Sequence, residues 1–164
     1  MSRARIISRA LPAIAVLALA LGAQAAFAAE QTRESYTAQV EPICKVNTEA
    51  SNRILKGVKS EVKAGKLKVA SGQFAQAAKA LKKTLTQLRA VPQPTADKAK
   101  LTKWLAYIKE EVELFEQTSA KLKAGDKGGA ESLTVKITRA VNLANNQVLA
   151  FDFKYCHVES SQFT

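Results

Sequence analysis

The chain has 164 residues, with 25 lysines and arginines against 14 acids, a formal charge of +11, and a single histidine. That length suits one domain with a real core. One histidine leaves no set of metal-binding imidazoles and suggests no Ser/Cys–His relay.

The first 28 residues read as a secretory signal. Arg3, Arg5 and Arg9 form a positive leader, Ala10 to Ala20 is apolar apart from Pro12, and Ala26-Phe27-Ala28 places small residues where a signal peptidase reads. The apolar run falls short of the roughly 20 residues that a spanning helix needs. The alternative is an uncleaved anchor helix. No cysteine near the cleavage point suggests a lipid anchor. Residues 29–164 then form one helical-bundle domain of secreted or extracytoplasmic location. Losing three arginines and no acid takes the formal charge from +11 to +8, and no later stretch is apolar enough to span a membrane.

Four helical stretches follow. The first runs from about Arg33 to Lys63, with Ser35 as its cap and the stripe Tyr36, Val40, Ile43, Ala50, Ile54, Val58, Val62. Asn47 fills the missing place in that series. Pro42 should kink this helix or mark its true start, and Gly65 should stop it. The second spans about Leu67 to Ala90, carries Phe74, Ala78, Leu81, Leu85 and Leu88 at helical spacing, and ends at Pro92-Gln93-Pro94.

The third opens with Thr95 as N-cap and Asp97 in its first turn. Leu101, Leu105, Ile108, Val112, Phe115, Ser119 and Leu122 follow as its stripe, with Trp104 on the flank, and Gly125 closes it. The fourth bears Leu133, Ile137, Val141, Ala144, Val148, Phe151 and Tyr155. Strand signals are absent and the loops are short. The fold class expected is all-α, an antiparallel up-down-up-down four-helix bundle. A three-helix arrangement with a loose first segment is the alternative.

The only two cysteines, Cys44 and Cys156, are expected to pair, closing a loop of over 100 residues from the first helix to the end of the last. Length sets a condition on this pairing. A straight helix from Ala130 to Cys156 covers about 39 Å, while Cys44 to Lys63 covers about 29 Å at 1.5 Å per residue. The sulfurs would miss by about 10 Å. The last helix therefore ends near Phe151 to Lys154 and the chain turns in, or the helix starts later than Ala130. Phe153, off the main stripe, would be exposed on a straight helix.

The stretch Phe153-Lys154-Tyr155-Cys156-His157 also reads F-x-x-C-H. Over those five residues it resembles the C-x-x-C-H haem attachment of c-prime cytochromes, with Phe153 in place of the first cysteine. Haem is the runner-up to a chain without cofactor. Against it, no second axial ligand of the His/Met kind remains after signal removal, and Cys44 would be left without a role.

Between Arg53 and Lys103 there are thirteen lysines and arginines against Glu61 and Asp97. In the expected bundle the first and third loops share one end, gathering Lys59, Lys63, Lys66, Lys68, Lys121, Lys123 and Lys127. Such an end draws polyanions by summed field. Wall polymers rich in phosphate, anionic lipid headgroups and free nucleic acid are the candidates outside a cell. The same lysines also oppose helix dipoles and keep the surface solvated. Lysines in place of arginines, without interleaved aromatics, argue against sequence-specific nucleic-acid reading.

Glu110, Glu111, Glu113 and Glu116 form an acidic knot, expected to pair with a lysine-rich neighbour helix rather than to hold a metal. Asn47, Asn145 and Asp152 could form a buried polar cluster near the disulfide, either fixing helix register or holding a ligand. No nucleophile elbow or phosphate loop is present, and the expectation is a protein without catalytic residues.

The signal, Tyr36 through Val-Glu-Pro-Ile-Cys44, the lysine-rich middle and the closing Phe-Asp-Phe-Lys-Tyr-Cys156 together resemble a group of small exported proteins of high-GC Gram-positive bacteria, a group with no assigned activity. The resemblance covers most of the mature chain. It implies export and helical character and transfers no functional residue. The function expected is an exported, non-catalytic binding or envelope-associated module.

Overall fold

Thr32 starts the first helix, one turn before the expected cap. Its hydroxyl accepts from the backbone N–H of Ser35 at 3.1 Å, and the Ser35 hydroxyl accepts from the N–H of Thr32 at 3.1 Å. This reciprocal capping box satisfies two N–H groups that a helix end would otherwise leave orphaned. The computed structural model describes residues 30–159; the expected signal at 1–28 lies outside them. Helix α1 covers Arg33–Ile54 and runs through Pro42.

It does not reach Lys63. Gly57 takes φ +79°, a left-handed turn that suits a residue without Cβ, and a separate short helix α2 follows at Val58–Lys63. The break exposes carbonyls at the end of α1, and a distant side chain takes them up. The Gln73 amide donates to the carbonyls of Ile54 and Lys56 at 2.8 and 3.1 Å.

Helix α3, Leu67–Ala90, has the bounds its spacing predicts. It buries Phe74, Ala78, Leu81, Leu85 and Leu88, and ends before Pro92. Thr95 does not cap the next helix. Thr95–Asp97 form a 3-10 turn, and α4 spans Lys98–Lys123. Asp97 stands at the capping position, yet its carboxylate is turned to α1. Both its oxygens accept from the Arg33 guanidinium, at 2.9 and 3.0 Å. That bidentate bond holds the Asp97 carboxyl below its ordinary range. It fastens the start of α1 to the start of α4.

Helix α5 covers Lys127–Gln147 and is capped by Asp126, whose carboxylate accepts from the Gly129 N–H at 2.8 Å. Ser71 and Ser119 exchange hydroxyl-to-carbonyl bonds, both 2.9 Å, which set the first turns of α3 beside the last turns of α4. The fold is thus all-helical, with four long helices packed together and no strand among the described residues. Packing follows chain order, α1 on α3, α3 on α4, and α4 on α5.

The last helix ends at Gln147, earlier than the Phe151 to Lys154 expected. A 3-10 turn at Leu149–Phe151 follows, then Asp152 in the left-handed region at φ 49°. The turn serves burial. Phe151, Phe153 and Cys156 are all buried in the folded-back tail. Phe151 meets Tyr36 edge-on at 5.9 Å, Phe153 packs on Trp104 at 5.6 Å, and the two phenylalanines stack at 5.1 Å. Burying each such ring is worth about 1.5–3 kcal/mol, far more than the few helical bonds given up are worth net.

Cys156 is bonded to Cys44, with Cα atoms 5.0 Å apart and a sequence separation of 112. The tail is held at three further points. The Glu41 carboxylate accepts from the N–H groups of Tyr155 and Cys156 at 3.0 Å, the Thr48 hydroxyl donates to the Tyr155 carbonyl, and the Asn145 amide bonds the Val158 backbone in both directions. Helix α1 therefore packs on α3 and on the tail.

Replacing both Cys44 and Cys156 by serine lengthens the freedom of the unfolded chain by that whole loop. Urea unfolding is expected to show a loss of about 2–5 kcal/mol with helical content retained; an unchanged midpoint would show that the tail is held without the bond.

Candidate functional site

All seven lysines singled out in the sequence are exposed. Lys59 and Lys63 lie on α2, Lys66 in the turn after it, Lys68 in the first turn of α3, Lys121 and Lys123 in the last turn of α4, and Lys127 opens α5. The Ser71–Ser119 bonds bring the α2–α3 turn and the α4–α5 turn toward one end of the fold. Three of the seven are partnered: Lys66 with Glu61 at 3.2 Å, Lys121 with Asp126 at 2.8 Å, and Lys127 with Glu131 at 3.7 Å. Lys59, Lys63, Lys68 and Lys123 have no ion pair among the described residues. Lys63 and Lys123 sit in last turns, where their charge also suits the helix dipole. Positive charge continues along α3, which carries Lys68, Lys79, Lys82, Lys83 and Arg89 and no acid.

The acidic knot on α4 divides. Glu113 pairs with Lys109, and Glu116 with Lys82 of α3 at 3.6 Å, the lysine-rich neighbour expected. Glu110 is exposed. Glu111 departs from the expectation, because it faces inward and is 6% exposed. The steps Trp104, Ile108, Glu111, Phe115, Thr118 and Leu122 are four, three, four, three, four, and all six are buried. This second stripe beside the first one carries Glu111 into the core.

Glu111 lines a cavity of about 30 Å³. Around it stand Asn47, Thr84, Asn145, Trp104 and the disulfide. A water needs roughly 10–15 Å³ of such space, so there is room for about two. Glu111 makes no hydrogen bond or ion pair among the described residues. Burial, with a smaller push from Glu110, raises its carboxyl to about 8. The expected polar cluster is present in part. Asn47 and Asn145 border the cavity, whereas Asp152 is exposed on its left-handed turn. Asn145 is committed to Val158, and Asn47 has a buried Oδ1 without a partner.

Burial favours the protonated form of the Glu111 carboxyl, which can both give and accept a hydrogen bond. The site has no free thiol, and His157 is exposed on the tail. The F-x-x-C-H stretch is otherwise engaged. The Cys156 sulfur is bonded to Cys44, and Phe153, at the place of a first haem cysteine, packs on Trp104. Among the described residues, no group of three or more His, Cys, Asp or Glu converges as for a metal. Comparison with protein-family models, with curated proteins and with solved structures found no match.

Because folding raises the Glu111 pKa from its ordinary 4.5 to about 8, its protonation favours the folded state. That stability is fully present below about pH 4.5 and declines by about 1.4 kcal/mol per pH unit as pH rises toward 8. Glu111→Gln should remove this component of the slope. Urea unfolding of both proteins between pH 5 and 9 is the check, with the variant the more stable of the two at pH 9.

Proposed function

We propose that the protein is an exported, non-catalytic module that binds phosphate-bearing envelope polyanions at its basic end. In this reading residues 1–28 are removed as a signal, the four long helices run up-down-up-down, and the two lysine-bearing turns act as one surface. The observation that carries it is the set of four exposed lysines, Lys59, Lys63, Lys68 and Lys123, at one end without acidic partners. An ammonium already held by a carboxylate offers a polyanion little, whereas an unpaired one releases counterions when a phosphate meets it.

Location has its own support. The Cys44–Cys156 bond is compatible with an oxidising compartment. Among the described residues, no helix is long and apolar enough to cross a membrane. Both agree with the resemblance to small exported proteins.

Polyanion contact through four lysines predicts a steep salt response. Affinity for a phosphate-rich polymer should fall about tenfold between 0.1 and 0.2 M salt. Reversing Lys59, Lys63, Lys68 and Lys123 to glutamate should abolish retention on phosphocellulose at 0.1 M salt. Reversing Lys98, Lys100 and Lys103 instead should leave most of it. Equal losses in the two variants would reduce the interaction to net charge alone and remove the basic end as a site.

A further inference from the structure

We propose that a second copy of this chain packs on the face formed by α1 and α3, each copy laying its Val46 ridge in the groove of the other. This surface is separate from the lysine end and does not depend on it.

Residues that helical spacing assigns to the interior are left at this surface. Ile43 and Ala50 belong to the apolar stripe of the first helix, yet both are only half-buried. Between them Val46 is 68% exposed. With Pro42 they form one wall of a groove of about 420 Å³, and Ala80, Lys83, Thr84 and Gln87 of α3 form the other. Helix α1 packs on α3 and on the tail, and the side that carries Val46 meets neither.

Composition and size both suit a protein contact, whose centre is ordinarily depleted in charge. On α1, Gln39, Ile43, Val46, Ala50 and Arg53 follow at steps of four, three, four and three. On α3, Gln76, Ala80, Lys83 and Gln87 do the same. Arg53 and Lys83 are the only charges in these two rows. The other cations of α3, Lys68, Lys79, Lys82 and Arg89, fall off its row. The two helices have 22 and 24 residues, so they run about 33 and 36 Å. Side by side, each about 10 Å wide, they present roughly 650 Å² per copy. Two such faces clear the ~1,000 Å² that a specific interface needs, without much to spare. The dimer should therefore dissociate on dilution.

Charge selects a second copy as the occupant. Glu49 stands three residues after Val46, on the rim of the α1 wall, and is exposed; Lys83 is exposed in the α3 wall. Neither has an ion pair among the described residues. A two-fold contact joins a surface to itself, so whatever α1 of one copy meets on α3 of the other is met in return. With the Val46 ridge seated against the second copy's α3, Glu49 faces Lys83, and the pair forms twice. A purely acidic partner would meet Glu49 here, and a basic one would meet Lys83 and Arg53.

Sedimentation equilibrium of the disulfide-bonded protein, from low micromolar to submillimolar concentration, is the test. The expected mass rises toward that of two chains. Val46→Lys should weaken association about tenfold or more, while Val135→Lys, at a valine of α5 that is 66% exposed, should leave it unchanged. Glu49→Lys and Lys83→Glu should each weaken it about tenfold, and the protein carrying both should regain most of the loss, because the charges are then exchanged and not removed. Where a variant loses its helical circular dichroism, the mass of the unaltered protein decides. A single-chain mass at the highest concentration, an equal loss from Val135→Lys, or a double variant no better than either single one would overturn the proposal. Binding of a persistent monomer to phosphatidylglycerol vesicles, abolished by Val46→Lys, would overturn it too and give the groove to a lipid surface.

Discussion

A carboxylate and a sulfur less than one turn apart on α1 govern the molecule. Glu41 takes the N–H groups of Tyr155 and Cys156, and Cys44 takes the Cys156 sulfur. Charge-assisted bonds of this kind are worth roughly 1.5–3 kcal/mol each, and the covalent link restricts the unfolded chain over 112 residues. With those atoms fixed, the tail has one path. It must leave α5 at Gln147, cross between α1 and the α4–α5 pair, and lay Phe151 and Phe153 over Tyr36 and Trp104. The same path closes the cavity over Glu111, since Tyr155, Cys156 and Val158 form part of its wall.

Much of this fold is written in helical spacing and in proline and glycine. The bounds of α3 follow from its stripe and the Pro92-Gln93-Pro94 stop, and Gly65 and Gly125 both take positive φ at the ends of helices. The pairing of Cys44 with Cys156 follows from having two cysteines in a chain whose start reads as an export signal. A straight last helix would overshoot Cys44, and α5 does end short of it. The helix stops even sooner because periodicity reports which side of a helix is apolar, not where the helix ends. Phe151 and Tyr155 keep the helical period although neither lies in α5.

The break at Gly57 is hidden for a related reason. Its carbonyls are satisfied by Gln73, far off in sequence, and local signals cannot register such a donor. Glu111 was legible in principle. Grouped by charge with Glu110, Glu113 and Glu116, it looks like surface. Grouped by the steps leading from Trp104, it lies on a buried face, with Thr118 one step beyond Phe115 on the same line. In a charged helix, the face carries more information than the local composition.

The basic end and the Glu111 cavity are electrically separate. Glu111 and Lys121 lie ten residues apart on one helix, about 15 Å along its axis. Exposed charges at physiological salt are screened over about 8 Å, so the lysine end contributes little to the field at Glu111. Its raised pKa comes from burial first and Glu110 second. Polyanion bound at the basic end would therefore leave the protonation of Glu111 unaltered. Unpairing the tail from Glu41, by contrast, would admit water to the cavity wall and lower that pKa directly, because solvation of the carboxylate removes the penalty that burial imposes. Apart from the neighbouring Glu110, coupling between the molecule's surroundings and Glu111 runs through the tail and the bond at Cys44 rather than through the lysine end.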